Sequence, residues 1–441
     1  MKRIQKDQRV NQRINKNTAG FTIVELLIVV VVIAILAAIA IVAYNGITQR
    51  SKESALKSEL KSNVGKIESI AVTSGDYPAT QTSADLKVGS GRTLTYKYRP
   101  GGYCIAIEGD GKSFRAMKDK AIEEGRCANG GVVTSFAGNG SVGSTDGLGS
   151  VARFNNPNDI AIDSTGNLYV ADSGNHAIRK ITPQGLVSTL AGGTQGFADG
   201  SGSSAQFNYP TGIVVDSTGT LYVADHNNNR IRQVTSAGQV TTYAGSGAVG
   251  AGNGGYLDGA RLSALFNRPY GIAIDSSGAL YITDKDNFKV RKITSGGMVS
   301  TLAGGPDESI TDGTGSAARF RGLAGIEVDS SGLIYVGGLD LSRLRTVTQA
   351  GVVTTQSLSS TGYAIKGFAF DGATTYLADH EMHRIYQVTD GVRTVLAGSS
   401  MGYGNNTGAA ATFRYPSAVV VDASGNVYVA DTNNSTIRKI E

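Results

Sequence analysis

One short phrase recurs six times in the C-terminal part of the chain and constrains the fold more than any other feature. The copies read NLYVAD, TLYVAD, ALYITD, LIYVGG, TTYLAD and NVYVAD, and they end at Asp172, Asp225, Asp284, Gly338, Asp379 and Asp431. Successive copies are 41 to 59 residues apart. Repeats of this length indicate stacked units, such as propeller blades or solenoid turns.

Each repeat contains four short strand patterns separated by turn residues, as in NDIAID, NLYVAD, AIRKI and LVSTLAG. Four-stranded sheets that repeat around an axis form a β-propeller. The first strand pattern occurs six times and ends at Asp163, Asp216, Asp275, Asp329, Asp371 and Asp422. We therefore predict an all-β six-bladed propeller over residues 132–441.

The two ends of this region indicate how the ring closes. The last repeat stops at STIRKIE, its third strand, and a single strand pattern at 132–138, VVTSFAG, precedes the first repeat. We expect strand 132–138 to complete the last blade. This pairing would cover a sheet edge that otherwise favours aggregation.

The motifs ADSGNHAIRKI and ADHNNNRIRQV resemble NHL repeats, a β-propeller family. In four repeats the last Asp of the LYVAD phrase is followed seven residues later by Arg, which predicts a buried pair between neighbouring strands. The pairs are Asp172 with Arg179, Asp225 with Arg232, Asp284 with Arg291, and Asp431 with Arg438. Blades four and five carry Gly338 and Tyr386 at these positions, so we expect them to be the least regular.

The N-terminal region has a different character. A leader at 1–20 holds six basic residues and one acidic residue, and an apolar run of 24 residues follows at 21–44. As a helix this run would reach about 36 Å, enough to cross a hydrocarbon core of about 30 Å. The basic leader predicts that the N-terminus stays cytoplasmic and that everything after residue 44 is exported.

The stretch AGFTIVELLIVVVVIAILAAIAIVAYNGI resembles the N-terminus of type IV pilins and pseudopilins. This resemblance implies that a prepilin peptidase cuts after Gly20 and that the new N-terminal Phe21 is methylated. It also implies that Glu25 pairs with the amine of Phe21 on a neighbouring pilin subunit during filament assembly. An acidic side chain inside a bilayer is costly unless paired. Val42 departs from the family pattern, since many pilins have a helix-kinking proline there.

Residues 45–127 have the outline of a pilin head, with an amphipathic helix followed by a small antiparallel sheet. The strand patterns are TLTYKYRP, YCIAIEG and SFRAMKD, and a short linker follows at 128–131. The fold class is therefore multidomain, a pilin-like α+β unit followed by the propeller. The head holds both cysteines, Cys104 and Cys127, and an exported segment with two cysteines favours a disulfide. A metal or redox pair is the weaker alternative, because the head has no histidine and no Cys-x-x-Cys spacing.

Charge and motifs argue against several classes of function. Beyond the leader the chain holds 35 basic and 35 acidic residues, and the propeller holds 21 and 24, which argues against nucleic acid as a partner. The four histidines come from three different blades. We find no Ser-His-Asp order, P-loop or HExxH motif. We therefore predict no enzyme activity, no cofactor and no metal.

The loops before the first strand of five blades are long and share a pattern with a recurring Phe. We expect these Phe side chains to pack between blades. The variable neighbours form the candidate binding face, because function concentrates on loops held by a rigid scaffold. The four residues of this face are Tyr209, Arg268, Arg321 and Tyr415.

These patterns predict a minor type IV pilin, a membrane protein before assembly, that displays an extracellular propeller for adhesion or ligand recognition. The partner would be an unknown protein or glycan outside the cell. One alternative is a pseudopilin of a type II-like secretion system. Another is a membrane-tethered propeller hydrolase or lyase, which would need a metal or a convergent acid and base cluster in the channel.

Overall fold

The computed structural model describes residues 52–70, 86, 89–90, 92–99, 102–109, 112–117, 123–124, 131–250, 252–338, 343–357, 364–372, 374–389 and 392–441. The chain divides into two compact units, Met1–Cys127 and Ala128–Glu441. Gly20, Phe21, Glu25, Cys127 and the side chain of Cys104 lie outside the described residues. Cleavage, methylation, assembly and the disulfide therefore stay predictions. Among the described helices, none is long and apolar enough to cross a membrane.

The first unit contains a helix at 52–70 and a four-stranded antiparallel sheet. The strands are Thr93–Arg99, Gly102–Gly109, Lys112–Met117 and Glu123–Glu124. Leu56, Leu60 and Ile67 have helical spacing and lie on one face of the helix. They are buried in one cluster with Ile105 and Ile107 of the second strand. Burial of these apolar side chains is what stabilises the described part of this unit.

The second unit is a six-bladed β-propeller, which confirms the predicted blade count. Every blade has four antiparallel strands in chain order from the axis outwards. The strands of blade one are Pro157–Ile162, Leu168–Asp172, Ala177–Ile181 and Leu186–Gly192. Those of blade two are Pro210–Val215, Leu221–Asp225, Arg230–Val234 and Gln239–Ala244. Those of blade three are Pro269–Ile274, Leu280–Asp284, Lys289–Ile293 and Met298–Ala303.

Blades four to six repeat the arrangement. The strands of blade four are Leu323–Val328, Ile334–Gly338, Arg343–Val347 and Val352–Ser357. Those of blade five are Ile365–Asp371, Thr374–Asp379, Arg384–Thr389 and Val392–Ala397. Blade six consists of Pro416–Val421, Val427–Asp431 and Thr436–Ile440, and its outermost strand, Val133–Ala137, comes from the start of the unit. Val133–Ala137 pairs antiparallel with Thr436–Ile440, from Val133 opposite Ile440 to Ala137 opposite Ile437. Two strands that are 300 residues apart in the chain therefore close the ring.

Short elements connect these strands. A fifth, two-residue strand lies at the outer edge of blades one to four, at Gly147–Leu148, Gly200–Ser201, Gly259–Ala260 and Gly313–Thr314. The 3-10 helices are Gly149–Val151, Ser173–Asn175, Gly202–Ser204, His226–Asn228, Lys285–Asn287, Gly315–Ala317, Gly408–Ala410 and Thr432–Asn434. The edge strands hold the long loops against the outer strands of their own blades.

The core lies between the blades, as the recurring Phe predicted. Phe207 is fully buried in a cluster that joins Tyr169 and Ile178 of blade one to Ile213 and Val223 of blade two. The equivalent Phe side chains of four other blades are at most 2% exposed, and they are Phe154, Phe266, Phe320 and Phe413. Each long loop is therefore anchored at a blade junction, and its remaining residues are displayed at one end of the propeller.

The predicted Asp–Arg pairs are confirmed in four blades. Arg179 Nη1 donates to Asp172 Oδ2 at 2.7 Å, and both side chains are buried. Arg179 Nη2 also bonds Asp146 Oδ1 at 2.6 Å, and its guanidinium lies 5.1 Å from the ring centroid of Phe154. The other pairs are Arg232–Asp225 at 2.8 Å, Arg291–Asp284 at 2.5 Å and Arg438–Asp431 at 2.7 Å. Each pair thus fixes a long loop to the two middle strands of its blade.

Blades four and five lack this arrangement. Blade four has Gly338 in place of Asp, and there Arg345 pairs with the loop carboxylate, Asp312 Oδ1, at 2.9 Å. In blade five Tyr386 replaces Arg, and Asp379 Oδ2 is buried without a hydrogen-bond partner among the described residues. An unpartnered buried carboxylate oxygen is costly, so the Asp379 side chain destabilises blade five.

Candidate ligand site at the mouth of the axial channel

Antiparallel order places the long loops and the loops between the second and third strands at one end of the propeller, around the channel mouth. Three residues of the predicted binding face lie here in a left-handed backbone conformation: Tyr209 (φ 56°), Arg268 (φ 52°) and Tyr415 (φ 55°). That conformation costs a non-glycine residue roughly 1–2 kcal/mol. It is therefore held by specific contacts from the neighbouring blade.

Those contacts come from the preceding blade. The backbone N–H of Tyr209 donates to His176 Nδ1 at 3.0 Å, and that of Tyr415 donates to His383 Nδ1 at 3.2 Å. At the equivalent junction Arg268 N–H donates to Asn229 Oδ1 at 2.9 Å. Nδ1 can accept only when it is unprotonated, so both histidines are neutral in the folded protein. Burial lowers the pKa of both imidazoles below the ordinary value.

The other two histidines begin the loop after the second strand of their blades. His226 Nδ1 lies 3.1 Å from the carbonyl oxygen of Pro269 in the next blade. Ser173 and Thr432 occupy the same place in blades one and six, where their hydroxyls donate to the carbonyls of Pro210 and Pro157. Burial lowers the pKa of His226 to about 4 and that of His380, its counterpart in blade five, to about 3. The histidines thus lie at blade junctions, and only His380 and His383 share a neighbouring ring, that of Tyr415.

Tyr270 forms the centre of the mouth. Its hydroxyl donates to Asn158 Oδ1 at 3.0 Å, which connects blade three to blade one. The ring of His226 packs edge-on against it with centroids 5.6 Å apart, and Tyr209 lies 6.3 Å beyond His226. A second aromatic group is formed by His380, His383 and Tyr415, with centroid distances of 4.9 Å and 4.7 Å to the tyrosine. The mouth is therefore an aromatic surface with polar tips.

Two lysines converge on the Tyr270 ring. Lys285 Nζ lies 5.1 Å and Lys366 Nζ 5.5 Å from its centroid. In the part of the chain that the structure describes, neither ammonium group has a carboxylate within 4.0 Å. Arg268, nearby, pairs with Asp286 at 3.4 Å. Among the described residues, the mouth consequently carries two ammonium groups without an ion-pair partner.

Below the mouth the six innermost strands enclose a cavity of about 50 Å³ that contains two carboxyl groups, Asp159 and Glu327. Asp159 Oδ1 accepts from Ile160 N–H and Oδ2 from Ile213 N–H of the next blade, both at 2.9 Å. Glu327 Oε1 accepts from Val328 N–H at 3.1 Å. Burial raises the pKa of Asp159 to about 7, and burial together with the charge of Asp159 raises that of Glu327 to about 8.

Sequence reasoning missed these channel groups. The position of Asp159 is glycine in four other blades, and a Cβ there would lie within 3 Å of the next blade: Gly212, Gly271, Gly325 and Gly367. Glu327 stands where the other blades carry Ala or Val. Comparing the six innermost strands position by position would have revealed both exceptions. The structure thus places in one channel two carboxyl groups that are far apart in the sequence.

The predicted binding residues are only partly grouped by the fold. Tyr209 belongs to the aromatic row with Tyr270, and Tyr415 belongs to the second aromatic group. Arg321 is exposed and lines a separate cavity of about 20 Å³ beside Phe320 and Gly338. Among the described residues, no group of three or more His, Cys, Asp or Glu side chains is placed to hold a metal ion.

Fold and repeats together define the class, a six-bladed β-propeller with NHL repeats in a chain that also carries a prokaryotic N-terminal methylation motif. The NHL repeat model matches residues 154–181, 207–234, 266–293 and 413–440, and the prokaryotic N-terminal methylation motif matches residues 15–41. The four matched repeats are the blades with a complete Asp–Arg pair. Blades four and five, expected to be the least regular, fall outside the matches.

Relatives share the propeller region. NHL repeat-containing protein 2 of Homo sapiens is 25% identical over 340 residues, covering 65% of this chain and 46% of that protein. Protein SUPPRESSOR OF QUENCHING 1, chloroplastic, of Arabidopsis thaliana is 39% identical over 94 residues, covering 21% and 9%. Teneurin-3 of Danio rerio is 27% identical, covering 51% and 9%. The chain spans less than half the length of each of these relatives.

Solved structures share the fold. A structural genomics protein of unknown function from Bacteroides thetaiotaomicron superimposes with a TM-score of 0.54 at 17% identity, covering 80% of this chain and 88% of that one. An auxiliary nutrient binding protein from the same organism gives a TM-score of 0.51 at 16% identity, covering 77% and 83%. At these identities the similarity concerns the architecture alone.

Proposed function

We propose that this protein is a minor type IV pilin that displays its propeller outside the cell and recognises a ligand at the channel mouth. The observation that carries the proposal is the combination of an N-terminal methylation motif with a propeller whose mouth collects aromatic rings and unneutralised cations. Binding pockets are typically concave and aromatic, with a few placed polar groups. The first motif supports export and assembly, and the second feature supports recognition.

The pilin assignment makes Glu25 the residue to test. The Glu25→Ala change would remove the carboxylate that pairs with the amine of a neighbouring subunit, while leaving the propeller unchanged. Glu68→Ala, which removes a carboxylate from the described helix of the first unit, is the matched control. Immunogold labelling of the propeller on intact cells is the measurement.

Gold on filaments that disappears with Glu25→Ala and persists with Glu68→Ala would support the pilin. Gold spread over the cell surface and unchanged by Glu25→Ala would count against it, because the helix would then serve only as an anchor. A pseudopilin of a secretion system would give short, periplasm-spanning assemblies and loss of secreted protein in the Glu25→Ala strain.

A second candidate function is a tethered hydrolase or lyase, and one observation favours it. Asp159 and Glu327 share a channel, and their raised pKa values keep at least one carboxyl protonated near neutral pH. Such a pair can supply a general acid and a general base. If this alternative holds, the Asp159→Asn and Glu327→Gln variants would bind ligand but release unaltered ligand, whereas the parent protein would release cleaved products.

A further inference from the structure

We propose that the channel mouth binds an acidic saccharide, with a sugar carboxylate at Lys285 and Lys366 and a sugar ring against Tyr209. The inference rests on the proposed function in one respect only, namely that this end of the propeller meets ligands outside the cell. It goes further in naming the chemical class of the ligand and the residues that select it.

The first step is that the two lysines are not needed to hold the fold. The position of Lys285 is occupied in three other blades by Ser173, His226 and Thr432. Each of these side chains contacts the carbonyl oxygen of the proline that begins the first strand of the next blade. Lys285 makes no such bond and lies over Tyr270 instead. Lys366 likewise occupies a position filled by neutral residues in the other five blades. Both departures from the repeat place positive charge at the mouth.

The second step compares these lysines with others near tyrosine rings. Lys292 lies 5.3 Å from the Tyr281 ring, but its ammonium group also donates to Gln349 Oε1 at 2.9 Å. Lys439 lies near Tyr428 and pairs with Glu441. Lys180 lies 5.7 Å from the Tyr169 ring. The mouth differs from these sites because two ammonium groups share one ring there and, among the described residues, neither has a carboxylate within 4.0 Å. A bound anion would complete this arrangement.

The third step concerns the kind of anion. The propeller has 21 basic and 24 acidic residues, so it offers no extended basic surface for a long polyanion. A single carboxylate suits two converging lysines. The partly exposed Tyr209 ring provides a flat apolar face for a sugar ring. The carboxyl groups of Asp159 and Glu327 lie deeper in the channel and offer hydrogen bonds to hydroxyl groups.

The test uses the full chain in detergent micelles and isothermal titration calorimetry. The probes are trigalacturonic acid and its methyl ester, which has the same sugar rings without charge. We expect the acid to bind and the ester to bind at least about tenfold more weakly, because the ester cannot form charge-assisted hydrogen bonds. Lys285→Gln and Lys366→Gln should each weaken acid binding about tenfold, and Lys292→Gln is the matched control.

Three outcomes would overturn the inference: equal affinity for acid and ester, acid binding unaffected by both mouth variants, or no binding of either probe. A triglutamate peptide forms a further arm, and affinity equal to that of the acid would assign the site to acidic peptides instead. Thermal unfolding of each variant shows that the propeller is folded. Loss of saccharide binding with filament labelling intact would refute only this inference, whereas loss of filament labelling would refute the pilin assignment.

Discussion

Tyr270 donates a hydrogen bond to Asn158 at 3.0 Å across the mouth of the channel, although 112 residues and an intervening blade separate them. The bond fixes the tyrosine ring beside two unneutralised lysines. Most contacts between blades join neighbours in the ring. This bond instead links blade one directly to blade three, which is not adjacent to it.

The first prediction concerns this link. Tyr270→Phe keeps the ring but loses the hydroxyl, and Asn158→Ala removes the acceptor, so each should lower the free energy of unfolding by about 1 kcal/mol. The double variant should cost little more than either single variant, because both remove the same bond. Denaturant unfolding of the four proteins measures the coupling, and fully additive losses would contradict it.

A second prediction follows from the channel carboxyls. The pKa of Asp159 is about 7 in the folded protein, above its usual value of 3.8, so the folded state holds this proton more tightly than the unfolded state. Stability from this group is fully present below about pH 4 and is lost as the pH rises through 7. For Glu327 the loss continues to about pH 8.

Glu327→Gln should therefore stabilise the propeller above pH 8 by on the order of 1 kcal/mol or more, because its amide oxygen can still accept from Val328 N–H. It should have little effect at pH 4, whereas Asp159→Asn would also lose one of the two backbone bonds to Asp159. Melting temperatures across this range provide the measurement, with the exposed Glu381→Gln as control. A variant that is destabilised equally at every pH would show that the carboxyl is required for packing instead.

A third prediction contrasts two buried aspartates at equivalent positions. Asp172→Asn removes the fully buried counter-charge of Arg179, leaves only the half-exposed Asp146 as its partner, and should cost about 3 kcal/mol. In blade five Tyr386 replaces the arginine seven residues after the aspartate, and burial raises the pKa of Asp379 to about 6. Asp379→Asn should therefore be neutral or slightly stabilising at pH 7.5. Equal losses for the two variants would show that hydrogen bonds to the loop, rather than the ion pair, dominate in both blades.

A fourth prediction concerns the two histidines that accept a backbone hydrogen bond from the next blade, because asparagine fills the same role elsewhere in the ring. Asn229 accepts the same backbone bond in blade two that His176 and His383 accept in their blades. The folded state lowers the pKa of both histidines, so their stabilising effect is present above about pH 6.5 and is lost as the pH falls below it. His176→Asn and His383→Asn should match the parent at pH 7.5.

Below pH 6 both variants should lose less stability than the parent, since asparagine does not titrate. Urea unfolding at pH 7.5 and pH 5 compares them directly. His176→Ala is the control, because it lacks any acceptor and should be weaker at both pH values. If the asparagine variants lose as much stability in acid as the parent, the Nδ1 contacts do not govern the acid response.

How far the sequence predicts this molecule depends on the distance between interacting residues. Arg179 follows Asp172 by seven residues within one hairpin, so the repeat itself predicted their pair. Asp146 bonds the same arginine from 33 residues upstream, and only the folded loop shows this contact.

The channel is harder still to predict. Its wall takes one strand from each of six blades, and Asp159 and Glu327 come together only when the ring is closed. Asp159 and Glu327 are exceptions to the repeated sequence pattern, whereas the number of blades follows from the repeats themselves. Periodicity therefore predicted the scaffold, and the exceptions to it mark the candidate site.

The closing strand Val133–Ala137 has a mechanical consequence. It is the first strand of the propeller after the linker, so any pull between the N-terminal unit and a ligand held at the mouth enters the ring through this strand. The load falls on its hydrogen bonds to Thr436–Ile440, which span only four residue pairs. How much tension a surface attachment withstands would then depend on this one outer strand rather than on the core of the propeller.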